Sequence, residues 1–198
     1  EFPANLKKEI IKAYQELSQK YEVENTDVAV RSSATAEDLP SASFAGQHES
    51  YLNIKGGEEL LLAVKKCIVS LFNDRAIIYR KENGFDHFKI ALSVGVQKMV
   101  RSDLASAGVI FTIDTETGFQ DAVLINGSWG LGEMVVKGRV VPDEFLVFDR
   151  TVKQGFDPII SKKLGTKRIK LVYSAKETKQ IEVSKKDRKS FVLSDGEI

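Results

Sequence analysis

A chain of 198 residues with 42% hydrophobic composition is long enough for one large domain or two small subdomains, each with a buried core. Twenty-nine basic against 28 acidic residues leave a net charge of +1, so no overall field points to nucleic acid or an anionic membrane, and any anion site has to be local. A single cysteine excludes an internal disulfide framework and Cys-rich zinc sites, which fits a reducing cytosol; no signal-peptide pattern opens the chain, and no apolar run approaches the ~20 residues of a membrane span.

Between residues 3 and 21, Leu6, Ile10, Ala13, Tyr14 and Leu17 recur at three- and four-residue steps, which predicts an amphipathic helix. The stretch DVAV is a short apolar strand that delivers the chain to Arg31. The Ser- and Ala-rich run around Pro40 reads as a loop, and SYLNI as a second strand. After the Gly56-Gly57 break, Leu60, Val64, Cys67, Ile68 and Leu71 form another helical stripe, and helical pattern resumes at Asn73 or Asp74 until Gly84. Cys67 sits on that stripe and reads as a buried, inert thiol. From FKIALSVGVQKMV onward the pattern turns to short strands. Ile90, Leu92, Val94 and Val96 alternate with Ala91, Ser93, Gly95 and Gln97, giving one apolar face and one face small enough for a backbone, a helix or a flat ligand to approach. Further strands are expected at GVIFTID, AVLIN, EFLVFD and KRIKLVYS, while Lys162, Lys163, Lys167, Arg168 and Lys170 bracket Gly165-Thr166 as a solvated hairpin. Helices first and mostly strands later give an α+β architecture in two lobes, residues 1–88 and 89–198. With no initiator methionine, and with the S-x-x-E helix-start spacing of Ser194 and Glu197 at its very end, the chain reads as a segment of a longer protein.

Three stretches have the composition for chemistry. Ser32, Ser33, Thr35, Ser41 and Ser43 beside Arg31 suit a polyanion, because guanidinium grips phosphate in a bidentate fork and hydroxyls supply further donors; Gly46 would let main chain approach without a Cβ in the way. A serine-rich loop is equally what a solvated turn looks like. In NGSWGLGEMVVKG, Gly127, Gly130, Gly132 and Gly138 make either a nest of backbone amides or an irregular turn; the P-loop spacing is missing. Trp129 at its centre either stacks on a ligand or buries itself between lobes. At Gln97-Lys98-Met99-Val100 an apolar strand turns polar, as the edge beside an adenine does, and as a strand leaving a core also does. His48 and His87 lie far apart with no metal-ligand spacing, and there is no Ser-His-Asp or Cys-His set. Glu116, Asp121, Glu133, Asp143 and Glu144 would matter to a magnesium ion only if the fold assembled them.

Taken in order, VAVRSSATAEDLPSASFAGQHESYLNI, LFNDRAIIYR, ALSVGVQKMVRSD, GVIFTIDTETGF and INGSWGLGEMVVKGRVVPDEFLVF resemble the nucleotide-binding region of the phosphoenolpyruvate synthase family over most of residues 28–148, and SKKLGTK extends the match. The RSSATAEDLP form of the arginine loop favours this branch over the pyruvate, phosphate dikinases; rifampin phosphotransferases share it, together with a GLGE segment. The resemblance implies an ATP-grasp-like fold, with nucleotide held between two α+β lobes of mixed or antiparallel sheets flanked by helices. It implies that Arg31 contacts the ATP phosphates as the catalytic cation, and that the loop from Ser32, Ser33 and Thr35 through Gly46 and Ser50 closes over them. Gln97, Lys98 and Met99 then line the adenine pocket, and Mg2+ accompanies ATP on carboxylates expected beyond Ile198. In the family, ATP phosphorylates a histidine on a separate swivelling domain with release of AMP and phosphate, and the phosphohistidine then phosphorylates pyruvate on a third domain. Those two domains are the implied partners within the full-length chain, and this segment alone should not complete the reaction. A rifampin-type phosphotransferase and a non-catalytic binding module are the alternatives the sequence leaves open.

Overall fold

The computed structural model describes residues 1–34, 38–39, 42–43, 50–152, 154–175 and 177–198, with the backbone alone at 38, 39, 42 and 43. The chain divides into two compact units, Glu1–Met99 and Val100–Ile198.

The first unit runs α1 (Ala4–Lys20), β1 (Val28–Ala34), the two-residue strands β2 (Asp38–Leu39) and β3 (Ala42–Ser43), β4 (Ser50–Ile54), α2 (Gly57–Val69), α3 (Asp74–Glu82) and β5 (Leu92–Lys98). β1 is the centre of an antiparallel sheet of order β4-β1-β5. Its alternation decides what is buried: Val28 and Val30 are fully enclosed and pack with Leu60, Ala63, Val64 and Cys67 of α2 and with Tyr14 of α1. Burying each such aliphatic side chain is worth about 1.5–3 kcal/mol. Cys67 is enclosed on the α2 stripe, its thiol 3.8 Å from the Val30 carbonyl, as an inert core cysteine should be. Tyr14 fixes the helices to the sheet: its hydroxyl donates to the Thr26 carbonyl at 2.7 Å and accepts from the Gly56 amide at 2.9 Å. The Asn73 side chain caps α3 by accepting from the Ala76 amide at 2.8 Å.

A boundary after residue 88 puts β5 in the second lobe, whereas β5 is paired along its whole length with β1, from Val28↔Lys98 to Ala34↔Leu92, and the two compact units meet after Met99.

The second unit holds an antiparallel sheet of order β6-β7-β8-β9, made of β6 (Ser106–Phe111), β7 (Ala122–Trp129), β8 (Asp143–Phe148) and β9 (Ile159–Lys163), and a separate ribbon of β10 (Ile169–Tyr173) with β11 (Thr178–Glu182). Single turns α4 (Glu133–Val136), α5 (Asp149–Val152) and α6 (Lys185–Arg188) complete it. The architecture is α+β with antiparallel sheets and flanking helices, and no helix among the described residues is long and apolar enough to cross a membrane.

The basic run is not a hairpin. Lys162 and Lys163 belong to β9 and pair with Phe145 and Glu144, whereas Ile169 opens β10 and pairs with Glu182, so the segment crosses from one sheet to the other. At the crossing Lys167 is completely buried, its ammonium paired with the equally buried Asp143 carboxylate. Asp143 also accepts from the Gly165 and Val192 amides, each at 2.8 Å, so three segments converge on one carboxylate. A buried pair of this kind is costly to halve.

Two outcomes follow from this packing. Lys167→Ala, which strands the Asp143 carboxylate, is expected to cost about 3–5 kcal/mol in urea unfolding of the chain, and a loss below about 1 kcal/mol would deny the pair its central place. The second concerns acid. Hydrogen bonds from Arg101 at 2.7 and 2.9 Å, then the Tyr173 amide, hold the Asp103 carboxyl below the ordinary carboxylate range. Its contribution is present above the unfolded-state value and is lost as pH falls through the lower folded-state value. Asp103→Asn should flatten that acid limb of the stability curve.

Candidate functional site

Residues i and i+2 of a strand share a face, so the pairing of β1 sorts the expected site residues into two groups. On the face away from α2 lie Arg31 and Ser33 of β1. Arg31 stands opposite Ser50 on one side and Gly95 on the other; Ser33 stands opposite Ser93, and Ala29 opposite Gln97. Arg31, Ser33, Ser50, Ser93, Gly95 and Gln97 are all exposed. One arginine is thus set among three hydroxyls and an amide side chain, on a patch with no large apolar group.

Ser32 and Lys98 are on the other face. Ser32 is half-buried, and its hydroxyl has no partner among the described residues. The Lys98 ammonium is held by Asp27 at 2.6 Å and by the Met99 carbonyl at 3.1 Å, next to the Tyr21 ring. Met99 itself is buried. Thr35 and Gly46 lie outside the described residues, as do Ser41 and His48. Ser93 and Gly95, which the site assignment passes over, share the Arg31 face; the signal for them was the small-residue alternation of β5.

The main chain of β5 adds the second part of the site. The Met99 amide donates to the Asp27 carbonyl at 3.0 Å, so Met99, Gln97, Gly95 and Ser93 turn their polar groups toward β1. Val94, Val96 and Lys98 consequently turn theirs outward, on an edge that pairs with no further strand among the described residues. An N–H and a C=O two residues apart on such an edge offer the donor and acceptor that a flat heteroaromatic base requires. Gly95 leaves this stretch thin: a Cβ built there would meet nothing nearer than the Arg31 carbonyl at 3.9 Å.

The glycine-rich stretch of the second unit is a packing device. Much of it is strand, since β7 extends through Asn126-Gly127-Ser128-Trp129. Gly130, at φ 85°, would place a Cβ 2.6 Å from the Leu171 carbonyl. The Gly130 and Leu131 amides are already donated to the Ala105 and Leu171 carbonyls, both at 3.0 Å, so they are not free to cradle an anion. Trp129 is half-buried within the second unit and its indole N–H donates to the Asp187 carbonyl at 3.0 Å. Glu133 pairs with Lys137. His87 accepts from the Arg80 Nε at 2.8 Å through Nδ1, which ties its ring to a fully buried guanidinium whose pKa burial lowers. No group of three or more His, Cys, Asp or Glu among the described residues is placed to hold a metal ion.

A family model described as "Pyruvate phosphate dikinase, AMP/ATP-binding domain" matches residues 1–198. The chain belongs to the pyruvate phosphate dikinase AMP/ATP-binding domain family. Along its whole length it is 58% identical to the phosphoenolpyruvate synthase of Helicobacter pylori, 56% to that of Aquifex aeolicus and 50% to that of Escherichia coli. It spans about a quarter of the length of these curated relatives, 25%, 23% and 25% respectively.

Because Arg31 and Ser33 are exposed and make no part of the core, Arg31→Ala and Ser33→Ala should leave the unfolding free energy within about 0.5 kcal/mol of the parent. Val30→Ala, one residue away on the enclosed face, should cost about 2 kcal/mol or more in the same urea titration.

Proposed function

We propose that this chain is the nucleotide-handling part of a dikinase that makes phosphoenolpyruvate from pyruvate, ATP and water, releasing AMP and phosphate. The observation that carries the reading is the Arg31 face: an exposed guanidinium flanked by Ser33, Ser50 and Ser93, one strand away from the open edge of β5. The relatives at 50–58% identity, each a phosphoenolpyruvate synthase, supply the reaction.

In this proposal Arg31 binds the phosphates of ATP and supplies positive charge where negative charge builds during phosphoryl transfer, which is positioning and electrostatics rather than covalent chemistry. Ser33 and Ser50 donate beside it, with Ser32, Thr35 and Gly46 belonging to the same loop. Adenine lies along β5 between Gln97 and Met99, and its hydrogen bonds go to the main chain of Val96 and Lys98, since the Met99 amide is committed to Asp27. The Lys98 side chain serves by holding the strand end against Asp27. Mg2+ belongs to the proposal as the companion of ATP, on carboxylates expected beyond Ile198. So do a phosphohistidine domain and a pyruvate-binding domain elsewhere in the full-length protein, a two-lobe ATP-grasp division of this chain with β5 in the first lobe, and a cytoplasmic setting.

The test is to mix the full-length protein with ATP and pyruvate and follow phosphorus resonances. The expected result is AMP, phosphate and phosphoenolpyruvate appearing together and only with pyruvate, with Arg31→Ala lowering kcat/KM for ATP by about 10²-fold or more and Arg31→Lys restoring part of it. Phosphorylation of a different acceptor, with no phosphoenolpyruvate formed, would overturn the reaction assigned here.

A further inference from the structure

The second unit carries an open surface groove, bordered by two exposed arginines, that the nucleotide reading does not use. Its volume is about 510 Å³, and it is lined by the segment Gly138 to Val141, which carries Arg139, and by Thr166, Arg168 and Ile169; both arginines and Thr166 are exposed. Two guanidinium-bearing residues therefore face one space whose lining includes no carboxylate. In a chain of net charge +1 such convergence is not a by-product of general basicity. Other members of the basic run have found counter-charges, Lys167 in Asp143 and Lys162 in Asp195 at 2.6 Å, whereas neither Arg139 nor Arg168 has an ion pair among the described residues. Asp143, the carboxylate next to this loop, cannot serve them: it is fully buried and already accepts from Lys167, Gly165 and Val192.

The walls are built rather than incidental. The Lys167 amide donates to the Val141 carbonyl at 3.2 Å, and a Cβ on Gly165 would lie 2.2 Å from the Pro142 carbonyl oxygen, so the two segments bearing the arginines are pressed together. Gly138, at φ 62°, turns the chain out of α4, and the Arg139 amide is held by the Met134 carbonyl at 2.9 Å. Both backbones are thereby fixed before any ligand arrives, which lowers the ordering cost of binding.

We propose that this groove binds a phosphate monoester with an apolar body. Two planar forks and the Thr166 hydroxyl match a tetrahedral dianion, and Val140, Val141 and Ile169 give the remainder of the molecule an apolar wall. Its residues belong to the unit Val100–Ile198 and those of the Arg31 face to the unit Glu1–Met99, and its success or failure leaves the dikinase reading untouched.

The experiment titrates the 198-residue chain with phenyl phosphate, inorganic phosphate and benzoate in a calorimeter. Phenyl phosphate is expected to bind more tightly than inorganic phosphate, with benzoate weakest. Arg139→Ala and Arg168→Ala should each weaken phenyl phosphate about tenfold or more at unchanged circular dichroism, Arg139→Lys should recover only part of the loss, and Arg75→Ala, at an exposed position of α3 outside both sites, should change nothing. The proposal is overturned if phenyl phosphate does not bind, if benzoate alone binds, if neither Arg139→Ala nor Arg168→Ala alters the affinity, or if Arg31→Ala abolishes it, since binding would then report the nucleotide face.

Discussion

The side-chain alternation of β1 is the constraint on which the first unit turns. Val28 and Val30 have to face α2, because they and Leu60, Ala63, Val64 and Cys67 are the core. Once they do, Arg31 and Ser33 have only the open face left. A slip of one residue in the pairing of β1 with β5 would drive the guanidinium into the apolar cluster and push the valines into water. The hydrophobic effect thus positions the charged residue: the core is paid for in valine and leucine, and the place of Arg31 follows from it. The same alternation puts Gly95 and Ser93 beside Arg31, so that the strand next to the arginine is flat where a ligand would lie.

A different kind of interaction organises the second unit. There the Asp143–Lys167 pair draws together the start of β8, the crossing segment around Gly165 and the chain at Val192. Lys167 is held at φ 38°, in the left-handed region that a lysine ordinarily avoids, which is tolerable only because its ammonium and its amide are both fixed by partners. A buried ion pair is poor at adding net stability but good at selecting one arrangement, since any alternative leaves a charge without its counter-charge. The groove of Arg139 and Arg168 is formed by the two segments that this pair locks.

Much of the fold could be read from the sequence wherever one periodicity dominated. The stripe of α1, the stripe of α2 with Cys67 in it, and the alternation of β5 all appear as read, because each is a local pattern set by a buried face. The basic run did not read correctly. Five cations around Gly-Thr look like a solvated turn, and nothing local reveals that Asp143, 24 residues away, will take Lys167 into the interior. The glycines of NGSWGLGE were ambiguous for a similar reason: their crowding against Leu171, Ala105 and Val192 is long-range. Of the candidate site residues, Arg31, Ser33, Ser50 and Gln97 share one exposed face of the sheet, and a list of neighbours in sequence cannot separate two faces. Strand alternation turns Ser32 and Lys98 to the other face and brings Ser93 and Gly95 alongside Arg31, a sorting that only the pairing register reveals.

The central claim is that nucleotide lies on the open face of the β4-β1-β5 sheet, and the most direct measurement is nuclear magnetic resonance mapping of the isotope-labelled chain during titration with magnesium-ATP. Amide shifts are expected to concentrate at Arg31, Ser33, Ser50 and Ser93 and along Val96–Lys98, with the adenosine end perturbing β5 and the phosphates perturbing β1. Shifts confined to the second unit, or to the α2 side of the sheet, would contradict it.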